Sequence, residues 1–223
     1  MSNLFKMSFM ALLVAGFMAF TASATKADTV TFTTTGTFSG LSIGGSAVNG
    51  ATVSTATFDA GAGNSIAIKF TGSNQSILVP PQNGGVSLGI FTTALTGSGA
   101  SGSGILTLTI NQTSPTGGSD SFTGNLSANF VFSGGGPAGG SGLVVFSPAS
   151  VTIGAVTYTL SNSGQVTLSV PPNNTGTFSS PGNSVEATVV VASAVPEPTS
   201  MLLLGSGLIG LAGAARRKFR GSN

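Results

Sequence analysis

Cysteine, histidine and tryptophan are absent from the 223 residues, and tyrosine occurs once. Charge is scarce as well: seven Lys or Arg and five Asp or Glu make 5% of the chain, against roughly 25% in an average soluble domain. Each absence closes a chemistry. Without cysteine there is no disulfide framework, no thiolate nucleophile and no Cys-bound zinc. Without histidine there is no imidazole base or metal ligand, so Ser-His-Asp and HExxH sites are excluded. Seven basic residues are few for a nucleic-acid surface. No catalytic, cofactor-binding or metal-binding residue is therefore assigned from the sequence.

What remains is small and polar-neutral. Gly and Pro supply 44 residues and Ser and Thr another 60. A chain of that composition would be a candidate for disorder, but 40% hydrophobic residues and a mean hydropathy of +0.43 argue for a packed core.

The two ends carry addresses. Lys6 precedes an uncharged run from Met7 to Phe20, a good apolar region for an export signal but short of the ~20 residues that span a bilayer. Ala22 and Ala24 then stand at −3 and −1 of a signal-peptidase site, with a second site after Ala27. Residues 1–27 are read as a signal peptide. At the other end, Pro196-Glu197-Pro198 precedes an uncharged stretch from Thr199 to Ala215 and the cations Arg216, Arg217, Lys218 and Arg220. Seventeen helical residues cover about 25 Å, the short limit for a membrane span. By the positive-inside rule the cations stay cytoplasmic, and everything before Pro196 lies outside the inner membrane.

Tripeptide, apolar span and basic cluster, in that order behind a signal peptide, resemble the PEP-CTERM sorting domain of Gram-negative bacteria. The resemblance covers about residues 195–220. It implies processing by an exosortase, a membrane-embedded cysteine protease, with Glu197 as the charge the enzyme reads. It also implies transient anchoring in the inner membrane through 199–215, followed by a place at the cell surface or in an extracellular matrix. A link to exopolysaccharide and biofilm is implied by the family alone. Pro196 and Pro198 lack backbone donors and favour an extended, accessible motif.

The body, residues 28–195, reads as strands. Apolar residues recur at every second position in eight stretches, among them Val30 and Phe32, Ile66–Phe70, Val86–Ile90, Leu106–Ile110, Phe122–Phe132 and Val185–Val191. The alternate positions are largely Thr and Ser. Asn49-Gly50, Gly61–Asn64, Pro80–Gly85 and Asn162–Gly164 supply turn chemistry between them. Nine to eleven strands predict an antiparallel β-sandwich, jelly-roll or Ig-like, flanked by the signal helix and a C-terminal transmembrane helix. An outer-membrane barrel would want Trp and Tyr girdles that are missing here. The low-complexity runs Gly97–Gly104 and Gly134–Gly142 read as flexible loops. Gly97–Gly102 matches GxGxxG but lacks the following helix a dinucleotide site requires.

The reading is a non-enzymatic exported protein; residues 196–223 are its sorting signal, and exosortase, signal peptidase and the inner membrane are its partners. One alternative is a carbohydrate-binding sandwich, for which Tyr158 is the sole stacking tyrosine. The other is a secreted glycan hydrolase, which needs two carboxylates such as Asp59 and Asp120 within ~5–9.5 Å. Removing both addresses, after Ala27 and before Pro196, leaves Lys69 against Asp28, Asp59, Asp120 and Glu186. The mature side-chain charge is then −3, so the basic pI of 9.4 belongs to the addresses and not to the body.

Overall fold

A computed structural model describes residues 28–79, 85–132 and 138–192, together with 204–205, 207–210 and 212. Thirteen strands follow one another in the body: β1 (Asp28–Ser39), β2 (Gly45–Asn49), β3 (Val53–Gly61), β4 (Asn64–Gly72), β5 (Asn74–Val79), β6 (Val86–Thr96), β7 (Gly99–Ser114), β8 (Gly118–Val131), β9 (Gly139–Ser147), β10 (Ser150–Ile153), β11 (Val156–Leu160), β12 (Gln165–Leu168) and β13 (Asn183–Val191). They form two antiparallel sheets. One has six strands in the order β12-β9-β8-β7-β1-β5, the other seven in the order β10-β11-β13-β6-β4-β3-β2. The all-β, two-sheet expectation holds. The strand numbers exceed those of an eight-strand jelly roll or a seven- to nine-strand Ig domain.

Period-two alternation directs the core. Val30, Phe32, Leu106, Leu108, Ile110, Phe122 and Phe130 line the inner face of the six-stranded sheet, each fully buried. Ile66, Ile68, Phe70, Phe91 and Tyr158 answer them from the seven-stranded sheet. All belong to one continuous apolar cluster. The rings of Phe32 and Tyr158 meet edge-on across the two sheets at 5.3 Å. Each phenylalanine so buried contributes on the order of 2–3 kcal/mol of transfer free energy.

Two expectations are corrected. Alternation puts Ile90 on the face of Val86 and Leu88, but it is exposed while Phe91, Thr93 and Leu95 point inward. The parity changes because β6 holds an extra residue against β13: Glu186 faces Ser87 and Ser184 faces Ile90. Gly89, at φ +146°, sits in that bulge, where a side chain would be strained. The run Gly97–Gly104 is no loop. From Gly99 onward it is the first part of β7, paired residue by residue with Val131–Leu126 of β8. Its composition answers to packing: a Cβ at Gly102 would collide with the Phe58 ring, and one at Gly36 with the edge of the Phe70 ring. Gly139–Gly142 likewise belongs to β9.

One margin of the sandwich is sewn shut. β4 passes into β5 through Ser73 alone and so changes sheet. The outer edge of β1 is partnered along its length. Residues 28–33 pair with β5, the Thr34 N–H donates to the Ser73 carbonyl at 2.8 Å, and the Asn49 amide takes both backbone groups of Phe38, at 2.8 and 3.0 Å. An edge covered in this way offers no template to another chain.

Residues 204–205, 207–210 and 212 are helical. Among the described residues no helix is long and apolar enough to cross a membrane. The expected signal helix over 1–27 lies outside the described residues, as does most of 199–215. The chain divides into two compact units, Met1–Val191 and Ala192–Asn223.

Candidate functional site

The outward face of the six-stranded sheet is uncharged. Its register stacks hydroxyls in rows: Thr35 faces Thr109, which faces Ser121, and Thr37 faces Thr107, which faces Thr123 and then Ser147. Neighbouring strands lie ~4.8 Å apart, so these side chains form a regular array of short hydroxyl groups. Asn111 and Asn125 lie on the same face, the first half-buried and the second exposed.

The few charged side chains of the body are dispersed. Asp59 is exposed and its Oδ1 accepts the Gly61 N–H at 2.7 Å. Asn64 completes that hairpin: its Nδ2 donates to the Gly61 carbonyl at 3.0 Å and its Oδ1 accepts the Ser98 N–H at 2.7 Å. These polar groups hold the β3–β4 turn against the start of β7. Asp120 accepts the N–H of its own neighbour Ser121. The two carboxylates are not brought together. Asp59 follows Phe58, which covers Gly102, whereas Asp120 pairs with Ile110. Eight strand residues separate those levels, about 27 Å at ~3.4 Å per residue. That spacing does not fit a glycosidase pair. Lys69, the only cation among the described residues, lies with its Nζ 4.2 Å from the centre of the Phe178 ring, a cation–π contact. Among the described residues no group of three or more acidic, His or Cys side chains could hold a metal ion.

Tyr158 does not lie on the surface. It is fully buried, its hydroxyl donates to Gln112 Oε1 at 2.8 Å, and burial pushes its phenol above the ordinary value of 10.0. The one tyrosine available for stacking a sugar is thus a core residue that ties β11 to β7. The phenylalanines offer no replacement: Phe32, Phe38, Phe58, Phe70, Phe91, Phe122, Phe130 and Phe146 are buried, Phe132 packs on the core, and Phe178 is half-buried against Lys69. Sequence reasoning missed this because alternation assigns a residue to a face without saying that both sheets meet on that face.

Pro196, Glu197 and Pro198, the cations Arg216, Arg217, Lys218 and Arg220, and the signal-cleavage positions Ala22, Ala24 and Ala27 all lie outside the described residues. Here the comparison with known families decides. Residues 194–218 match the PEP-CTERM protein-sorting motif, so the tripeptide, the apolar stretch and Arg216, Arg217 and Lys218 fall within one recognised unit, with Arg220 two residues beyond it. The comparisons with curated proteins and with solved structures found no match. Residues 194–218 thus carry a PEP-CTERM sorting motif, which indicates an exported protein sorted by an exosortase.

Proposed function

We propose that this protein is a non-enzymatic component of the cell surface or extracellular matrix. A signal peptide over 1–27 starts its export, and signal peptidase removes it. The segment 199–215 holds the chain transiently in the inner membrane, with Arg216, Arg217, Lys218 and Arg220 as the cytoplasmic stop. The exosortase then processes it at Pro196-Glu197-Pro198, and the body joins an exopolysaccharide or biofilm matrix. The observation that carries this reading is the sorting motif at residues 194–218 placed directly after a compact β-body.

The body supports a matrix role by its chemistry. A neutral, hydroxyl-rich face neither attracts nor repels charged polymers, and it offers many hydrogen-bond donors and acceptors to a hydrated one. Fractionation of host cells with and without their exopolysaccharide tests the link. The protein is expected in the matrix fraction of the first and in the medium of the second. An unchanged distribution would contradict the matrix role while leaving the sorting class intact.

A further inference from the structure

The strand register brings both ends of the body to one pole. β1 begins at Asp28 opposite Val79, the last residue of β5. Only six residues, 80–85, separate Val79 from Val86, the first residue of β6. β13 runs antiparallel to β6, leaves it where Ala187 faces Val86, and continues to Val191 opposite Val156. Entry and exit of the chain therefore share a pole. The β7–β8 and β10–β11 turns close this pole beside them, near enough that a Cβ on Gly154 would strike the Thr116 side chain. The opposite pole carries the β3–β4 turn, the β6–β7 turn and the fully exposed Ile43.

Residues 192–195 alone connect Val191 to Pro196. At ~3.6 Å per residue, the five steps from 191 to 196 reach at most about 18 Å. The connector is not readily lengthened by peeling β13 away. That strand is held on both sides, by β11 and β6, and buries Val185, Ala187 and Val189. An enzyme the size of a small domain is ~30 Å across, so one that encloses Pro196-Glu197-Pro198 must meet the pole from which the connector leaves.

We propose that this pole is the face the folded body presents to its membrane-embedded processing enzyme. The inference rests on the exosortase reading above. Asp28 lies at this pole, and Glu186 lies beside it, close enough that a Cβ on Gly85 would stand 3.2 Å from its Oε2. The enzyme surface that fits here is uncharged or basic.

The absence of cysteine makes the test clean. The full chain, as Leu78→Cys or Ile43→Cys, is accumulated in membranes depleted of the enzyme and labelled with a polyethylene-glycol maleimide. The enzyme is then supplied. Leu78 is 54% exposed and next to the end of β5; Ile43 is fully exposed at the far pole. The adduct at position 78 should slow processing at least tenfold, and the adduct at 43 by less than twofold. Six Gly and Ser residues inserted after Ala192 should restore the rate of the labelled Leu78→Cys chain. Equal rates for the two adducts, or a block that the insertion does not relieve, would overturn the assignment of the pole. Failure of the unlabelled chain to be processed at all would overturn the exosortase reading itself.

Discussion

Replacing Tyr158 by phenylalanine removes one oxygen from the centre of the body and tests how the two sheets are tied. The ring keeps its place edge-on to Phe32, so packing is nearly unchanged. What is lost is the donor to Gln112 Oε1. Gln112 is 3% exposed, and its Nε2 remains engaged with the Thr116 carbonyl at 2.8 Å, so the amide cannot turn to water. A buried acceptor left without a partner costs ~1–3 kcal/mol. For a domain of this length, each kcal/mol lowers the melting temperature by about 2–4 °C, which gives a fall of roughly 2–12 °C. Calorimetric melting of residues 28–195 at pH 7 reads it. Adding Gln112→Met to Tyr158→Phe should recover much of the loss. Both side-chain partners are then gone, the Thr116 carbonyl, on an exposed residue, is free to bind water, and only the long 3.5 Å contact of the Gln112 amide with the Ile153 carbonyl is lost without replacement. The coupling in this double-mutant cycle should reach ~1 kcal/mol. A Tyr158→Phe melt within 1 °C of the parent, with no coupling, would refute the claim that this link joins the sheets.

The same phenol predicts a pH dependence. Its folded-state pKa lies above the unfolded value of 10.0, so the native state holds more protons than the unfolded chain above pH 10. Stability contributed by this group is therefore complete below about pH 10 and falls above it, by up to ~1.4 kcal/mol per pH unit. Urea unfolding at pH 8, 10 and 11 should show the fall in the parent and a shallower one in Tyr158→Phe; equal slopes would contradict it. Gly102→Ala should cost ~1–3 kcal/mol through overpacking against Phe58. Gly117→Ala, whose Cβ would meet only the Gln112 carbonyl at 3.8 Å, should stay within ~0.5 kcal/mol. Asn49→Ala leaves both backbone groups of Phe38 unpaired. It should lower stability by ~1–2 kcal/mol and raise light scattering on storage, as the β1 edge opens.

The strands that alternation located are those with large apolar residues on one parity, such as Leu106-Leu108-Ile110 and Val185-Ala187-Val189. Strands whose inward positions are small or polar escaped it. β3 turns Ser54, Ala56 and Phe58 inward, and the first part of β7 turns in Gly102, because an aromatic ring from the opposite sheet fills that space. A glycine that makes room for a neighbour looks, in sequence, like one that makes a loop. Only the other side of the core tells them apart. Gly89 is the second case: its bulge reverses the parity of β6, and nothing local announces it beyond the glycine itself. The sorting segment was legible for a different reason. Its signal is an order of chemistries along the chain, with fixed φ at Pro196 and Pro198, an uncharged span and then four cations, and no fold is needed to read it. The carboxylates were legible as residues but not as a constellation, since Asp59 and Asp120 sit at levels of the body about 27 Å apart along the strands.

The sorting account is tested most directly by the C-terminus of the protein at the cell surface. Mass spectrometry of the surface-exposed or matrix-bound protein should find the chain ending near residues 196–199, with Arg216, Arg217, Lys218 and Arg220 absent. Surface protein that still carries Arg216–Arg220 would contradict processing, and the segment after Pro198 would then be a permanent anchor.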